Sequence, residues 1–292
     1  MRGTIDGFSY GVVTPLVGYV MACLGGALGL RCTTRSLLGT HSWRPAWLAL
    51  GSTAIGSGIW TMHFIAMMGF SIDETPIRFD KPMTYASLGL AIVMVGVGIF
   101  MIGYRGASGT SLVTGGTITG LGVASMHYLG MAGMRFDGEF TYDIAGVVAS
   151  VVIAVVAATV ALWAAGHVRG WRGSIGASLV MGLAVSGMHY TGMAGLTVHL
   201  HGTPAPATSG PPAAVLAPIL VGPLALLLLA AVVVMFDPLM VKGAPARVPE
   251  ESKPGVPAAA VPSHQRVRPP RRPYREPVRA DAHGGSRTPQ RH

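Results

Sequence analysis

Charge is what this chain has least of. Asp, Glu, Lys and Arg make up 11% of its 292 residues, less than half the ~25% of an ordinary soluble domain. What charge there is collects at one end: from Asp237 onward lie 11 of the 21 Lys and Arg and 5 of the 12 Asp and Glu. The preceding residues are nearly uncharged, the composition of a polytopic membrane protein with a polar tail. Other absences narrow the reading. Lys81, Lys242 and Lys253 all lie outside the long apolar runs, which excludes a Schiff-base chromophore on a span lysine. No run carries a central Asp or Glu, against a proton-coupled transporter. Cys23 and Cys32 form neither a CxxC pair nor a zinc pattern, so no disulfide framework is implied. No phosphate-binding loop, kinase, cyclase or hydrolase motif is present, and no enzymatic activity is expected. The net charge of +9 belongs to tail and topology, and no nucleic-acid partner is expected.

Apolar runs of about 20 residues, the length that crosses a bilayer, occur at 10–30, 46–69, 84–104, 111–134, 143–165, 174–197 and 213–236. The expected fold is all-α: a polytopic membrane protein with seven transmembrane helices over residues 8–236. Residues 237–292, with 11 prolines and many Arg, are expected to form a disordered basic cytoplasmic tail. Within it Arg266, Arg268, Arg271, Arg272 and Arg275 suit anionic lipid headgroups. Lys and Arg mark the cytoplasmic side of a membrane protein. The loops after spans 1, 3 and 5, together with the tail, hold 17 of them, against 4 on the other side. The N-terminus is therefore expected outside and the C-terminus in the cytoplasm. Frequent glycine in the runs, such as Gly25, Gly26 and Gly29, points to close helix packing.

Three of these runs carry the same hexapeptide pattern, Met-His-aromatic-x-x-Met. The copies are Met62-His63-Phe64-Ile65-Ala66-Met67, Met126-His127-Tyr128-Leu129-Gly130-Met131 and Met188-His189-Tyr190-Thr191-Gly192-Met193. All three end spans that run outward, so the histidines share one depth. On a helix His at i and Met at i+4 stack on one face, which pairs His63 with Met67, His127 with Met131 and His189 with Met193. Met62, Met126 and Met188 lie on the flank of that face. An imidazole facing lipid has no partner, so the faces are expected to point inward and converge. Imidazole with thioether suits copper, Cu(I) above all, over Mg, Ca or Mn. Haem on two histidines fits less well, because the third is then unexplained. A packing role stays open, with Ser57, Ser125 and Ser186 as hydrogen-bond partners of the rings. Tyr128, Tyr190 and Phe64 are expected to anchor the membrane interface. His199 and His201 form either an outer metal-receiving pair or part of a solvated loop.

The three motifs, their spacing of 64 and 62 residues and their placement on alternate spans resemble the MHYT family, whose name Met188-His189-Tyr190-Thr191 spells out. The resemblance covers about residues 8–236. It implies a sensor module of the bacterial inner membrane that binds copper through its Met and His residues near the outer face and senses oxygen, carbon monoxide, nitric oxide or redox state. In many members a cytoplasmic cyclase, phosphodiesterase or kinase domain follows. Here span 7 is followed by the tail, so output is expected to need a separate cytoplasmic signalling protein. Two other readings stay open: a copper-handling or transport protein, and a helical membrane scaffold without metal.

Overall fold

The structure, a computed structural model, describes residues 3–7, 9–38, 41–201 and 212–237. The expected tail from residue 238 on, with its basic cluster, lies outside the described residues. Among the described residues seven α-helices form where the apolar runs predict them: α1 (Val13–Leu38), α2 (Arg44–Met68), α3 (Lys81–Arg105), α4 (Gly109–Ala132), α5 (Ile144–His167), α6 (Gly170–Ala194) and α7 (Pro212–Phe236). Local chemistry sets several starts. Asp80 accepts from the Met83 N–H at 3.0 Å and Asp143 from the Gly146 N–H at 2.9 Å, capping α3 and α5. Ser108 caps α4 in the same way. Prolines occupy the first turns of α2 and α3, where a missing N–H costs nothing.

Short β-ribbons close one end of the bundle, a feature that the apolar runs do not predict. β1 (Ile5–Asp6) pairs with β2 (Ser71–Ile72), β3 (Arg78–Phe79) with β4 (Met134–Arg135), and β5 (Gly138–Tyr142) with β6 (Leu196–Leu200), all antiparallel. Each ribbon joins the strand before a helical hairpin to the strand after it. The chain is thus three repeats of strand, helix, helix, strand, each closed on itself. The acidic loop residues belong to this end. Asp80 and Asp143 cap helices, and both carboxylate oxygens of Glu74 accept from the Thr4 N–H at 3.0 Å.

The hairpins pack side by side, so that α1 to α6 follow one another around a ring and α6 closes back on α1. α7 lies against α2 and α1. Close approach within the first hairpin depends on glycine: a Cβ on Gly25 would stand 2.6 Å from the Ala54 carbonyl oxygen and 2.8 Å from the Gly58 Cα. Trp60, fully buried, ties α2 to α3 by donating from its indole N–H to Ser87 Oγ at 2.9 Å and to the Thr84 carbonyl at 3.2 Å. At the end away from the ribbons, arginines lie over aromatic rings. Arg31 sits over Trp171, Arg44 over Tyr104 and Arg35 over Trp47. Arg35 also holds the Asp237 carboxylate at 3.0 Å, just past α7.

α1, α3, α5 and α7 are each long and apolar enough to cross a membrane. The motif helices α2, α4 and α6 match them in length but are diluted by Gly, Ser and Thr. Large apolar side chains stand exposed along the bundle, among them Val148, Val152 and Val156 on α5 and Leu228 and Leu229 on α7. An apolar surface of that extent, on helices long and apolar enough to cross a membrane, suits lipid. The chain is an all-α membrane protein.

The capping role of Asp80 has a pH signature. The Met83 backbone N–H, and after it the Arg135 guanidinium, hold this carboxyl below its ordinary value of 3.8. A carboxyl with a depressed folded-state pKa stabilises the fold above its unfolded value, and that contribution is lost as pH falls through the folded value. The wild-type thermal midpoint is therefore expected to fall as pH drops below about 4, and Asp80→Asn to flatten that acid limb. Midpoints of both proteins in detergent micelles across this range check it.

Candidate metal centre

Each motif histidine stands five residues before the end of its helix, at Met68, Ala132 and Ala194. That is about 7.5 Å at 1.5 Å per residue. Equal depth on three helices of equal direction puts the rings in one layer, and the bundle brings them into contact. His63 Nδ1 lies 3.1 Å from His189 Nδ1 and 3.2 Å from His127 Nδ1, and His127 Nδ1 lies 3.2 Å from His189 Nδ1. The three rings stand nearly perpendicular to one another, at 79° to 89°, and all are buried. Among the described residues they form one group of His, Cys, Asp or Glu side chains close enough to hold a metal ion.

This triangle cannot satisfy itself. A neutral imidazole nitrogen is either an N–H donor or a lone-pair acceptor. Of three nitrogens at least two are alike, so at least one contact is donor to donor or lone pair to lone pair. His63 Nε2 and His127 Nε2 are also buried without a hydrogen-bond partner. A cation at the centre would take all three Nδ1 lone pairs at once. Sides of 3.1–3.2 Å place that centre about 1.8 Å from each nitrogen, and metal–imidazole bonds run about 2.0–2.1 Å. Small outward shifts of the rings reach that length. The donor set therefore fits an ion. Among the described residues no acidic side chain joins it, so an ion's whole charge would stay buried; one positive charge costs less there than two.

The methionines distribute around this layer. Met67 and Met193 border a cavity of about 320 Å³ together with His189. Met188 borders a second cavity. Met62 lies against α1, its Cγ 3.4 Å from where a Cβ on Gly18 would stand. Met126 and Met131 are fully buried in the core. The second cavity, about 50 Å³, is lined by Ile59, Val123 and Val185, four residues before each histidine, and by Ile55, Thr119 and Met181, eight before. It thus follows the motif faces inward, beginning one turn beneath the triangle, and its walls are almost wholly apolar.

Three expectations change. The serines do not serve the histidines: Ser57 and Ser186 have buried hydroxyls without a partner, and Ser125 is exposed. The aromatic after each histidine packs against that histidine, edge to face. Phe64, Tyr128 and Tyr190 lie 4.7, 4.8 and 4.9 Å from His63, His127 and His189. Tyr128 further bonds Ser150 Oγ of α5 at 2.7 Å. A ligating histidine usually donates its second N–H to an oxygen; here aromatic edges and close backbone contacts hold the rings. Lastly, His199 stands on β6 opposite Glu139 of β5 and His201 donates its backbone N–H to the Asp137 carbonyl, so the pair belongs to a β-ribbon and its end and not to a free loop.

Sequence reading missed the residue three places after each histidine. A Cβ on Gly130 would stand 2.6 Å from His63 Nε2, and one on Gly192 2.8 Å from His127 Nε2. Each of these rings rests on the backbone of the next motif. The signal was visible as Gly130 and Gly192 at one motif position, with Ala66 in the first copy.

The family described as "Bacterial signalling protein N terminal repeat", MHYT, matches residues 56–115 and 120–178, two successive units that each begin just before a motif. The chain belongs to the MHYT family. Its third motif follows the second match at the same spacing. Among curated proteins this MHYT chain is 34% identical over 191 residues to the bifunctional diguanylate cyclase/cyclic di-GMP phosphodiesterase MucR of Pseudomonas aeruginosa, covering 64% of the chain and 28% of that protein. It is 33% identical over 213 residues to the cyclic di-GMP phosphodiesterase NbdA of the same organism, covering 68% and 27%. It is 28% identical over 199 residues to the signaling protein YkoW of Bacillus subtilis, covering 65% and 24%. The chain spans about a quarter of the length of these relatives. No solved structure matches it.

Proposed function

We propose that the chain is a seven-span sensor module of the bacterial inner membrane whose three-histidine triangle holds one Cu(I) ion near the outer face. The observation that carries this reading is the triangle itself: three buried ring nitrogens in mutual contact, which no choice of neutral tautomers satisfies and a shared cation would. A monovalent, soft ion suits a buried site of imidazoles among thioethers. A porphyrin plane would have to part the three rings, which weighs against haem. The ribbon end is the outer face, because Arg31, Arg35, Arg44, Arg105, Arg169 and Arg172 all lie towards the other end and mark it as cytoplasmic. Helices α2, α4 and α6 cross with the rest because hairpin packing covers their Gly, Ser and Thr.

The three histidines would leave an ion room for a further small ligand, and the small apolar cavity beneath the triangle suits an uncharged gas. Oxygen, carbon monoxide or nitric oxide would be the ligand sensed, and α2, α4 and α6, which carry both the histidines and the lining of that cavity, would pass the event on. The relatives named as cyclic di-GMP enzymes and as a signaling protein support signalling as the purpose, with output passing to a cytoplasmic signalling partner. Copper transport is the weaker reading, since the three histidines lie in one layer and are not spread in depth along the bundle.

Purified full-length protein, kept under reducing conditions, is expected to retain about one copper per chain. Elemental analysis measures this. Protein free of copper after exposure to Cu(I), in reducing and oxidising buffers alike, would sink the proposal.

A further inference from the structure

The three motifs are alike in sequence and geometry, yet the seams between them are not. Where α2 meets α4, the His63 ring lies on Gly130; where α4 meets α6, the His127 ring lies on Gly192. Both contacts are too close to admit even one methyl carbon. At the third seam, between α6 and α2, the position of those glycines is taken by Ala66. Here His189 and Ala66 border the cavity of about 320 Å³. Its remaining wall is Ile5, Gly7, Met67, Phe70, Tyr190, Met193 and Ala194. Ala194 is exposed, Met193 partly so, while Met67 and His189 are buried. The cavity therefore runs from the surface at the ribbon end to one corner of the histidine triangle. The two thioethers in its wall come from the positions four after His63 and His189, one turn above the triangle. The third such methionine, Met131, is fully buried.

We infer that this cavity is the access site through which a soft monovalent cation reaches the triangle, with Met67 and Met193 as its first ligands and His189 as the imidazole that first takes it over. The inference rests on the copper reading above and adds a route and a separate role for two methionines. Two thioethers bind Cu(I) well and carry no charge, so they desolvate the ion without trapping it as a thiolate would. Transfer is ligand exchange: two copper–sulfur bonds would be replaced by three copper–nitrogen bonds, no electron moves, and any ring that holds its proton on Nδ1 shifts it to its own Nε2. The resting ion would sit in the triangle, no longer bound by the methionines.

The test follows uptake over time. Metal-free full-length protein in detergent micelles is mixed with Cu(I) in acetonitrile under reducing conditions, and a chromogenic Cu(I) chelator reports the copper not yet taken up. Met67→Leu/Met193→Leu, which keeps volume and removes both sulfurs, is expected to slow uptake on the order of tenfold or more while the final copper content stays at one per chain. Ala194→Leu, which narrows the exposed mouth, is expected to do the same. Ala132→Leu, the matching exposed position after Met131, is expected to take up copper at the wild-type rate. Unchanged rates in the first two variants, equal slowing by Ala132→Leu, or a lowered final content in the methionine variant would each overturn the access route while leaving the copper site standing. A wild-type protein that takes up no Cu(I) overturns the copper reading, and the route with it.

Discussion

Replacing His63, His127 and His189 together by leucine is expected to abolish copper retention without making the metal-free protein less stable than the metal-free wild type. The first half follows from removing every nitrogen of the triangle. The second follows from what the empty triangle costs. In the absence of an ion at least one of the three Nδ1 contacts sets like against like, and two Nε2 atoms are buried without partners. Each such group costs about 1–3 kcal/mol. Exchanging a whole buried polar group for apolar side chains of similar size is often neutral or stabilising, and leucine is close to histidine in volume. Copper content by elemental analysis and thermal midpoints of the two metal-free proteins check both halves. A triple variant melting far below the metal-free wild type would mean that the rings hold the helices together, as a scaffold without metal requires.

Gly58→Leu is expected to disrupt the first hairpin, at a cost of at least about 3 kcal/mol, the upper end of ordinary over-packing penalties. A Cβ at Gly58 would stand 2.8 Å from the Gly25 Cα and 3.0 Å from the Met21 carbonyl oxygen. Both are backbone atoms, which cannot rotate aside, so the whole of α1 has to move. α1 also borders α6, and its displacement loosens the ring that brings the histidines together. Gly89 supplies the comparison. It is likewise within a helix, yet a Cβ there meets nothing within 4 Å, and Gly89→Leu is expected to leave stability within about 1 kcal/mol. Denaturant midpoints in micelles measure both, and a Gly58→Leu protein that unfolds with the wild type would show that the α1–α2 contact is looser than described.

Much of this architecture was legible in the sequence because a bilayer imposes a single length on helices. The seven runs fall on the seven helices, and equal spacing of the histidines from their helix ends put them in one layer. Convergence was readable too, since an imidazole in lipid has nowhere else to point. The ribbons were not readable: β1, β2, β3 and β4 have two residues each, too few for any alternation of side chains to show. Nor were the ring contacts of Phe64, Tyr128 and Tyr190. An aromatic near a helix end reads as an interface anchor, and only the neighbouring helices decide that its edge meets a histidine. The hydroxyls of Ser57 and Ser186 were expected to serve the rings by proximity along the chain, but the histidines of the other repeats are nearer in space. The difference between Ala66 and its glycine counterparts was visible as letters, while its consequence, one open seam among three, belongs to packing.

The closure of each repeat on its own ribbon has a bearing on how anything downstream is wired. A strand–helix–helix–strand unit crosses the bundle twice, so it returns the chain to the side from which it came. Three such units, an even number of crossings, leave the chain after β6 at the same end as β1. It is α7, the odd crossing, that carries the backbone to the opposite end, where Arg35 grips Asp237 beside Trp47. α7 contributes no ligand. It ends on the far side of the bundle from the ribbons, where Asp237 is fastened to α1 of the first repeat.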